Sequence, residues 1–353
     1  MMNSFYLHTL GCKSNQYESE GIRESLIKHG FTETEDVKNA AWAIVNSCAV
    51  TVQAEAGSRQ MVHRIKRENP NIRIVLTGCS VDLGSKWIHE LSSIELIITN
   101  SKKHQIADLL ANIPPRDAED RFAFSIQSFE GHTRAFVKIQ DGCDHFCSYC
   151  VIPYARGKPE SRPLHAILSE AQKLTDSGYG ELVLTGINIG NYKSGSLVLA
   201  DVINGLIKLP NLLRLRLGSV EPLAVTDKLL AAIQSHEQVA KHLHVPMQHG
   251  DDGVLKSMNR KYTSSEYLAI IARIRTVLDN PGITTDVIVG FPSESSESFC
   301  RMIDVCEQAE FSRIHVFPYS PRPQAAAYLS RLACNPQELE ARRKKMLELA
   351  EKA

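Results

Sequence analysis

The sequence predicts an α/β protein of two domains, a doubly wound parallel sheet followed by a partial (β/α)6 barrel. Three observations lead to this fold class. The chain has 353 residues, which is long for one compact domain and suits two. Short apolar runs alternate with helical patterns along most of its length, and strands that alternate with helices form parallel sheets. The composition, 43% hydrophobic and 23% charged, is typical of a globular protein.

The first domain is predicted over residues 1–113, with four strands and a helix after each. Strand-like runs occupy residues 5–12, 41–48, 72–79 and 94–98. The helical patterns that follow them cover Asn15–Gly30, Val52–Glu68, Leu83–Leu91 and Lys102–Ala111. A flavodoxin-like sheet suits this order. The first strand is not followed by a glycine-rich phosphate loop, so no flavin is expected.

Three cysteines stand just past the carboxyl ends of predicted strands, at Cys12, Cys48 and Cys79. Because the carboxyl ends of parallel strands meet at one edge of a sheet, the fold would gather these distant thiols there. A single cysteine of this kind is most often a small buried hydrophobe. Three in matching positions favour an iron–sulfur site with three protein ligands and a free position. We also expect the helix amino termini behind them to lower the thiol pKa values.

Residues 114–133 change in character, with mixed charge and little periodicity, and are predicted to connect the domains. The second domain is predicted over residues 134–335 as six strand–helix units, and a basic helix over residues 336–353 follows it. The predicted strands cover residues 135–140, 181–185, 213–217, 242–245, 283–289 and 313–317. The predicted helices cover residues 164–177, 199–208, 227–235, 264–278 and 297–309. In such a barrel the active-site residues lie at the carboxyl ends of the strands.

A C-x₃-C-x₂-C triplet, Cys143, Cys147 and Cys150, directly follows the first barrel strand. Three thiolates cover three irons of a four-iron cluster, and the fourth iron is then open to a ligand. Structural zinc is the main alternative, but it takes four ligands, and the chain has no second C-x₂-C pair. His145 lies inside the loop and cannot easily reach the same metal. Three unrelated buried thiols are the remaining alternative.

Polar residues follow the other barrel strands. Taken singly, each has an ordinary explanation as a turn residue or a satisfied core histidine. Around one open cluster they would form a polar ring of the size that a nucleoside needs. They are Thr185, Gly186, Ser219, Glu221, His244 through Gln248, and Gly290.

Charge and targeting signals limit the function classes. The chain has 40 basic and 40 acidic residues, so bulk charge does not indicate a nucleic-acid-binding protein. Local basic patches lie between Arg59 and Arg73 and at Arg342–Lys345, although a solvated helix face explains either patch alone. The sequence shows neither a secretion signal nor an apolar run of membrane length. Nine cysteines without such a signal favour a reducing compartment, so we expect a cytoplasmic protein without membrane attachment.

With both cysteine triads in this order, the chain resembles the radical S-adenosylmethionine (SAM) methylthiotransferases, the family of the MiaB, RimO and MtaB groups. The motif at residues 286–292, Asp-Val-Ile-Val-Gly-Phe-Pro, adds to the resemblance. Residues 9–20, Thr-Leu-Gly-Cys-Lys-Ser-Asn-Gln-Tyr-Glu-Ser-Glu, are most similar to the MtaB group, and residues 137–143 and 152–157 agree. The family usually ends in a small RNA-binding TRAM domain, whereas this sequence stops in the basic helix.

The resemblance implies two 4Fe–4S clusters and SAM. The triplet would hold the cluster that binds and cleaves SAM, and Cys12, Cys48 and Cys79 would hold an auxiliary cluster that carries the inserted sulfur. No acid–base catalytic residue is implied, since the cofactor supplies the radical. The residues implied to contact SAM are Tyr149, Arg156, Arg162, Thr185, Gly186, Ser219, Glu221, His244, Gln248, Ile288 and Gly290.

The MtaB group methylthiolates C2 of N6-threonylcarbamoyladenosine next to the tRNA anticodon, so the resemblance implies a tRNA partner. RNA contacts are expected from Arg59, Arg64, Arg67, Lys256, Arg260 and Lys261. We also expect an electron donor such as flavodoxin or ferredoxin, and a monomer. Three alternatives stay open: isopentenyladenosine as the substrate, an aspartate of a ribosomal protein as the substrate, and an electron-transfer protein without a substrate.

Overall fold

The structure, a computed structural model, describes residues 3–115, 119–329 and 334–352. Residues 116–118 of the predicted connection lie outside the described residues. So do residues 330–333, near the end of the predicted barrel, and Ala353 of the predicted last helix.

The first domain contains a sheet of five parallel strands in the order β2-β1-β3-β4-β5, which is the flavodoxin-like order. The predicted fold class is confirmed. The edge strand β2 has two residues and was not predicted. The strands are β1 Ser4–Thr9, β2 Thr32–Glu33, β3 Trp42–Ser47, β4 Arg73–Gly78 and β5 Ile94–Ile98.

Helices cover both faces of this sheet. The predicted helix over residues 83–91 is wrong, because Gly84, at a φ of +60°, separates two short helices. The predicted helix over residues 102–111 begins as a 3₁₀ turn over Asn100–Gln105. The helices are α1 Lys13–Lys28, α2 Val52–Glu68, α3 Cys79–Asp82, α4 Lys86–His89 and α5 Ile106–Leu110.

The second domain is the predicted partial barrel. Its six parallel strands follow one another in chain order as two hydrogen-bonded sheets, and single bridges between Leu215 and Val239 and between Ser219 and His244 join them. Strand β7 is antiparallel to β6, and β9 and β10 form a small hairpin. The parallel strands are β6 Ala135–Asp141, β8 Glu181–Gly186, β11 Arg214–Leu217, β12 His242–His244, β13 Gly282–Val289 and β14 Arg313–Pro318. The others are β7 Glu160–Ser161, β9 Lys193–Ser194 and β10 Leu197–Val198.

The barrel core lies between these strands and the surrounding helices. The last helix belongs to this core, since its Met346 is completely buried. The helices are α6 Ile152–Arg156, α7 Leu164–Asp176, α8 Leu199–Leu206, α9 Asp227–Gln234, α10 Asp252–Ser257, α11 Ser264–Val277, α12 Ser296–Ala309 and α13 Pro336–Ala350. None of the described helices is long and apolar enough to cross a membrane.

The described part of the predicted connection packs against both domains. Ile126 and Phe129 are buried in the barrel core. The Glu24 carboxylate of α1 accepts the backbone N–H groups of Gln127 and Ser128 at 2.7 and 2.8 Å. Residues 119–133 are therefore anchored on both sides.

Helix α1 joins the domains. It packs against β6 and β8, and its Tyr17 is buried in the barrel core. The Tyr17 hydroxyl donates to the Glu170 carboxylate of α7 at 2.8 Å, and its oxygen also lies 3.0 Å from the Phe124 carbonyl oxygen. A helix of the first domain therefore covers the side of the barrel next to β6.

Candidate functional site

The cysteine triplet lies in a loop that several backbone contacts fix above the barrel. The Ser148 backbone N–H donates to the Met258 carbonyl at 3.0 Å, and its hydroxyl donates to the Ser257 carbonyl at 2.7 Å. The Asn259 amide donates to the carbonyls of His145 and Phe146 at 3.1 and 3.0 Å. These contacts hold the loop against residues 257–259.

Glycine is required where the loop begins. Gly142 has a φ of +74°, and a Cβ atom there would lie 2.1 Å from the Lys158 carbonyl oxygen. The next residue, Cys143, donates its N–H to the Gly157 carbonyl at 3.0 Å. This close approach of two backbones sets where the first thiol of the triplet stands.

The three thiols of the triplet are close enough to influence one another. Burial raises the pKa of Cys150 to about 12, and the charges of Cys147 and Cys143 add to the shift. Burial likewise raises the pKa of Cys143. The Arg260 guanidinium donates to the Cys147 sulfur at 3.3 Å. A cation in direct contact with one sulfur suits a ligand set that binds as thiolates.

The fold gathers the other three cysteines as well. Cys12 is the N-cap residue of α1, Cys48 follows β3, and Cys79 is the first residue of α3. A Cβ atom added to Gly11 would lie 2.8 Å from the Cys48 sulfur, so the Cys12 and Cys48 segments touch. The hydroxyl of Ser80, the residue after Cys79, donates to the Cys48 carbonyl at 3.2 Å, so the third segment joins them.

The expected lowering of the thiol pKa values in this triad is wrong for the two buried members. Burial raises the pKa of Cys48 to about 11. Burial also raises the pKa of Cys79, although the charge of Arg156 and a hydrogen bond from it act in the opposite direction. Loss of water around the sulfur therefore sets the direction of the shift at both thiols, and a metal that binds here must displace their protons.

The donor sets fit iron–sulfur clusters better than single metal ions. A lone zinc ion with bonds of 2.3 Å would draw its sulfur ligands to within ~3.8 Å of one another. Among the described residues, His244, Asp286 and His315 have ligand atoms within 4.8 Å of one another, and neither cysteine triad is that tight. Thiolates on different irons of a four-iron cluster stand farther apart. His145 Nε2 accepts from the Asn191 amide at 2.9 Å, so this ring nitrogen is already hydrogen-bonded.

A small apolar cluster joins the segments that carry the two triads. Cys79 packs in it with Ala49, the neighbour of Cys48, and with Val151, the neighbour of Cys150. Leu83, Ala155 and Ala325 complete this cluster. Cys79 of the amino-terminal triad therefore lies in the same cluster as Val151, the residue after the last cysteine of the triplet.

A buried ion network lies next to the amino-terminal triad. Glu18 of α1 is bonded to Lys103, Lys138 and Arg156, and Asp141 is bonded to Lys138 at 2.6 Å and to Arg156 at 3.1 Å. Burial alone would raise the pKa of Glu18, but the charges of the three cations hold it well below its ordinary value. The directly bonded set contains three cations and two carboxylates, which suits an anionic group beside it.

Two residues implied for SAM binding lie together. Tyr149 packs against a buried cluster that contains Ile288. Burial raises the Tyr149 pKa well above its ordinary value, so the phenol is neutral. Phe291, from the same motif as Ile288, stacks edge-on against Tyr319 with ring centroids 5.4 Å apart. An apolar wall therefore lies beside the triplet.

The other strand-end residues surround the same mouth. Thr185 is buried, Ser219 is exposed, and Gln248 is half-buried with a φ of +68°. Glu221 pairs with Arg260. A Cβ atom on Gly186 would lie 2.6 Å from the Gln140 carbonyl oxygen, so the glycine permits a close backbone approach.

Gly290 permits a different close approach. It has a φ of +75°, and a Cβ atom there would lie 2.4 Å from Leu339 of α13. The structure thus explains this glycine by helix packing.

Three arginine side chains have other partners than the sequence predicted. Arg156 is inside the ion network and Arg162 is bonded to Glu170, so both are engaged in the contact between domains. Arg260 is 8% exposed and bonded to Glu221 and Cys147, so it cannot serve as a surface contact to RNA. Each is a long side chain whose direction the strand and helix pattern does not fix.

The predicted RNA contacts on α2 are at the surface. Arg59, Arg64 and Arg67 are exposed, and Arg64 pairs with Glu68 at 2.7 Å. Lys256 and Lys261 are also exposed, near the triplet loop. The Arg342–Lys345 run offers RNA fewer cations than its sequence suggests, because Arg342 is buried and paired with Glu294 and Glu338.

The barrel lumen holds a polar chain that includes His244, which the resemblance implied for SAM binding. Its other members, Thr284, Asp286 and His315, were not predicted as site residues. His244 Nδ1 is hydrogen-bonded to the Thr284 hydroxyl at 2.9 Å, and His244 Nε2 lies 3.2 Å from the Asp286 carboxylate. The ring centroids of His244 and His315 are 5.8 Å apart. A metal ion could bind between the two histidines and the Asp286 carboxylate. Both ring nitrogens of His244 are, however, already engaged by Thr284 and Asp286. Polar and apolar residues alternate along β12, β13 and β14, and this pattern could have revealed these residues. Each of them is next in sequence to a buried apolar residue that points to the other face of the sheet.

Comparison with known proteins agrees with this geometry. The profile of an "uncharacterized protein family", UPF0004, matches residues 4–99, and that of the radical SAM superfamily matches residues 137–306. The chain is 37% identical to "threonylcarbamoyladenosine tRNA methylthiotransferase MtaB" of Chlamydia pneumoniae, with 99% of this chain and 82% of that protein covered.

More distant relatives share the architecture. The chain is 34% identical to a "tRNA-2-methylthio-N(6)-dimethylallyladenosine synthase" of Syntrophus aciditrophicus, over 91% of this chain and 74% of that protein. Among solved structures, the radical SAM methyltransferase TsrM of Kitasatospora setae superposes with a TM-score of 0.66 at 14% identity, over 93% of this chain and 77% of that one. That likeness concerns the fold.

Proposed function

Since the chain belongs to the radical SAM methylthiotransferases, in their MtaB-type group, we propose that it inserts a methylthio group at C2 of N6-threonylcarbamoyladenosine, next to the anticodon of tRNA. The observation that carries the proposal is the shared contact between Cys79 and the segment after Cys150. Sulfur transfer to a carbon radical requires the two centres to serve one cavity, and this contact supports that arrangement.

A radical SAM enzyme uses SAM and a 4Fe–4S cluster. We assign this cluster to Cys143, Cys147 and Cys150, and an auxiliary 4Fe–4S cluster to Cys12, Cys48 and Cys79. Together these groups supply a carbon-centred radical and a methylated sulfur, which acid–base residues cannot provide for an unactivated aromatic C–H bond.

The protein side chains bind and orient around this chemistry. Tyr149 and Ile288 offer an apolar surface for an adenine ring, and a neutral phenol cannot compete as a charged ligand. Glu221 is held by Arg260, and its carboxylate is 23% exposed, so it can accept hydrogen bonds from the polar end of SAM. The same Arg260 steadies the Cys147 sulfur. We therefore assign Arg260 to the SAM site.

The tRNA would meet the exposed arginines of α2, with Lys256 and Lys261 near the mouth. These contacts position the RNA through its phosphates, and an unpaired anticodon-loop base can be splayed into the cavity. We propose a small redox protein, flavodoxin or ferredoxin, as the electron donor. We further propose that the enzyme works as a monomer in the cytoplasm.

Two measurements test the function. Anaerobically reconstituted protein, reduced in the presence of SAM, should release 5′-deoxyadenosine, whereas an electron carrier would not. Mass spectrometry of nucleosides should then show 2-methylthio-N6-threonylcarbamoyladenosine in tRNA treated with the enzyme. A methylthio group on isopentenyladenosine alone, or on a ribosomal protein alone, would overturn the proposal in favour of that substrate.

A further inference from the structure

A cavity of about 400 Å³ lies where the first domain meets the end of the barrel. Its walls come from the first half of α2, from residues 84–90 and from residues 322–324, after β14. We call it the interdomain cavity. Its described lining contains no cysteine, so neither triad accounts for it. Its volume is in the range of cavities that bind small organic groups.

Bonds between the domains give the interdomain cavity its shape. The buried Arg322 guanidinium forms an ion pair with Glu55 of α2 at 2.5 Å. The Gln324 side-chain amide donates to the Leu83 carbonyl, just after α3, at 3.2 Å. These two contacts fix residues 322–324 on the first domain, so the cavity is a built feature of the contact between domains.

The interdomain cavity lies beside the cysteine triads. Leu83 and Ala325 pack with Cys79 in the apolar cluster that joins the two triads. Their neighbours in the chain, Gly84 and Gln324, line the cavity. An RNA loop whose target base enters between the triads therefore brings an adjacent nucleotide to this cavity.

The walls combine apolar surface with hydrogen-bonding groups that are not paired. Trp87 Nε1, Arg322 Nε and Gln324 Oε1 are buried and have no hydrogen-bond partner among the described residues. The first two are donors and the third is an acceptor. Buried polar groups are seldom left unpaired, so this lining is typical of a site that a polar ligand completes. The edge of a nucleobase offers both acceptors and donors, and its faces are apolar.

The charges of the lining suit a nucleotide. Glu55 is neutralised by Arg322, which leaves an uncharged balance inside. Arg59 and Lys86 are exposed, and Glu90 is the exposed acid beside them. The exposed set therefore has one cation in excess, which suits a single phosphate at the rim, whereas the interior suits a neutral base.

We propose that the interdomain cavity binds a nucleotide adjacent to the target base in the anticodon loop, with its base inside and its phosphate against Arg59 and Lys86. The inference rests on the proposed function and adds a second recognition site to it. A single-stranded loop can be held by bases that are splayed out of the stack. Holding the adjacent base in this way would reduce the stacking that the target base must lose.

The test uses anticodon stem–loop RNAs that all carry N6-threonylcarbamoyladenosine. One RNA is intact, and two others lack the base of the adjacent nucleotide on the 5′ or the 3′ side. Binding to the reconstituted enzyme is measured by fluorescence anisotropy without reductant. Wild-type enzyme should bind one of the two abasic RNAs at least about tenfold more weakly than the intact RNA, the size of one stacked base.

Two variants fill the interdomain cavity from different segments. Ala56→Phe adds a ring from α2. Gly84→Asn adds a side chain where a Cβ atom would meet no atom within 4 Å, and asparagine tolerates the φ of +60° at this position. In each variant the intact RNA should bind about as weakly as the abasic RNA, so the ratio of the two affinities should fall towards one.

Two control variants make the same changes outside the cavity. Gln60→Phe adds the ring at an exposed position of α2 that is not part of the lining. Gly195→Asn adds the side chain at a φ of +62° in the hairpin of β9 and β10, again with no atom within 4 Å of the Cβ. Both should keep the wild-type ratio. Iron content and SAM cleavage without RNA should match wild type in all four variants.

The outcomes distinguish the two proposals. A lower ratio in at least one filling variant, with its control unchanged, supports the subsite. If wild-type enzyme binds both abasic RNAs as tightly as the intact RNA, or if both filling variants keep the wild-type ratio, the subsite is overturned and the function stands. If the intact RNA is bound but never methylthiolated by enzyme that cleaves SAM, the proposed function fails instead.

Discussion

Replacing Glu18 by glutamine should weaken the contact between the two domains more than any surface change. The Glu18 side chain is 3% exposed and accepts from Lys103, Lys138 and Arg156, which come from three different segments. A glutamine has the same shape, but it keeps one acceptor and turns an N–H₂ group towards the cations. Lys138 and Arg156 would then keep the Asp141 carboxylate, whereas Lys103 would keep only its hydrogen bond to the Asn46 amide oxygen among the described residues.

The magnitude follows from the burial of the network. Removing one partner of a buried ion pair costs about 3–5 kcal/mol, because the charge that remains is uncompensated. We expect Glu18→Gln to lower the free energy of unfolding by this amount. Urea unfolding of the metal-free protein measures it, since bound clusters make unfolding irreversible. Trp42 and Trp87, the two tryptophans of the chain, are both buried in the first domain and report its unfolding by fluorescence.

Two comparison variants make the test decisive. Glu95→Gln changes an exposed glutamate of the same domain and should alter stability by less than about 0.5 kcal/mol. Adding Lys103→Met to Glu18→Gln removes one of the unbalanced cations and should recover part of the loss. If Glu18→Gln were no more destabilised than Glu95→Gln, the network would not hold the domains together and the reasoning would be refuted.

Three other predictions concern the cysteines, the triplet loop and acid stability. Cys79→Ala should lose about half of the iron and all methylthiolation activity but keep SAM cleavage, whereas Cys150→Ala should lose SAM cleavage as well. Methylthiolation by the Cys79→Ala variant would contradict the assignment of Cys79. Gly142→Ala should cost about 1–3 kcal/mol more than Gly131→Ala in urea unfolding, because both have a φ of +74° but only Gly142 has a carbonyl in the way; equal losses would exclude the steric cause. The pKa of Glu18 is held well below its ordinary value of 4.5, so the stability that Glu18 contributes is complete above pH 4.5 and is lost as the pH falls towards the lowered pKa. The Glu18→Gln variant should therefore lose less stability than wild type over this acid range. Parallel curves of the free energy of unfolding against pH would contradict the shift.

The sequence predicted those features that depend on strand direction and helix period. Helix α2 was predicted with its observed limits, Val52–Glu68, because its apolar residues recur at a helical period between clear end signals. The gathering of Cys12, Cys48 and Cys79 followed from their places after parallel strands, since such strands end at one edge. These inferences use only backbone geometry, which local sequence largely determines.

The features that depend on side-chain reach could not be predicted in the same way. Arg156 lies next to the triplet in the chain, yet its guanidinium turns to Asn15 and Glu18 of the first domain. Arg260 follows a basic pattern typical of RNA contacts, yet it is buried against Glu221. A long flexible side chain selects among partners that only the packed domains bring together, so its role depends on tertiary contacts.

Helix α1 connects the chemistry of the two domains. It begins after its N-cap residue Cys12, one of the amino-terminal triad, and reaches the buried network at Glu18. The helix therefore cannot shift relative to the barrel without breaking the bonds of Glu18 to Lys138 and Arg156. It follows that packing between the domains sets the position of the amino-terminal triad relative to the barrel. Under the proposed function, the base is then the partner that has to move, because it must leave its stack to enter the cavity between the two triads.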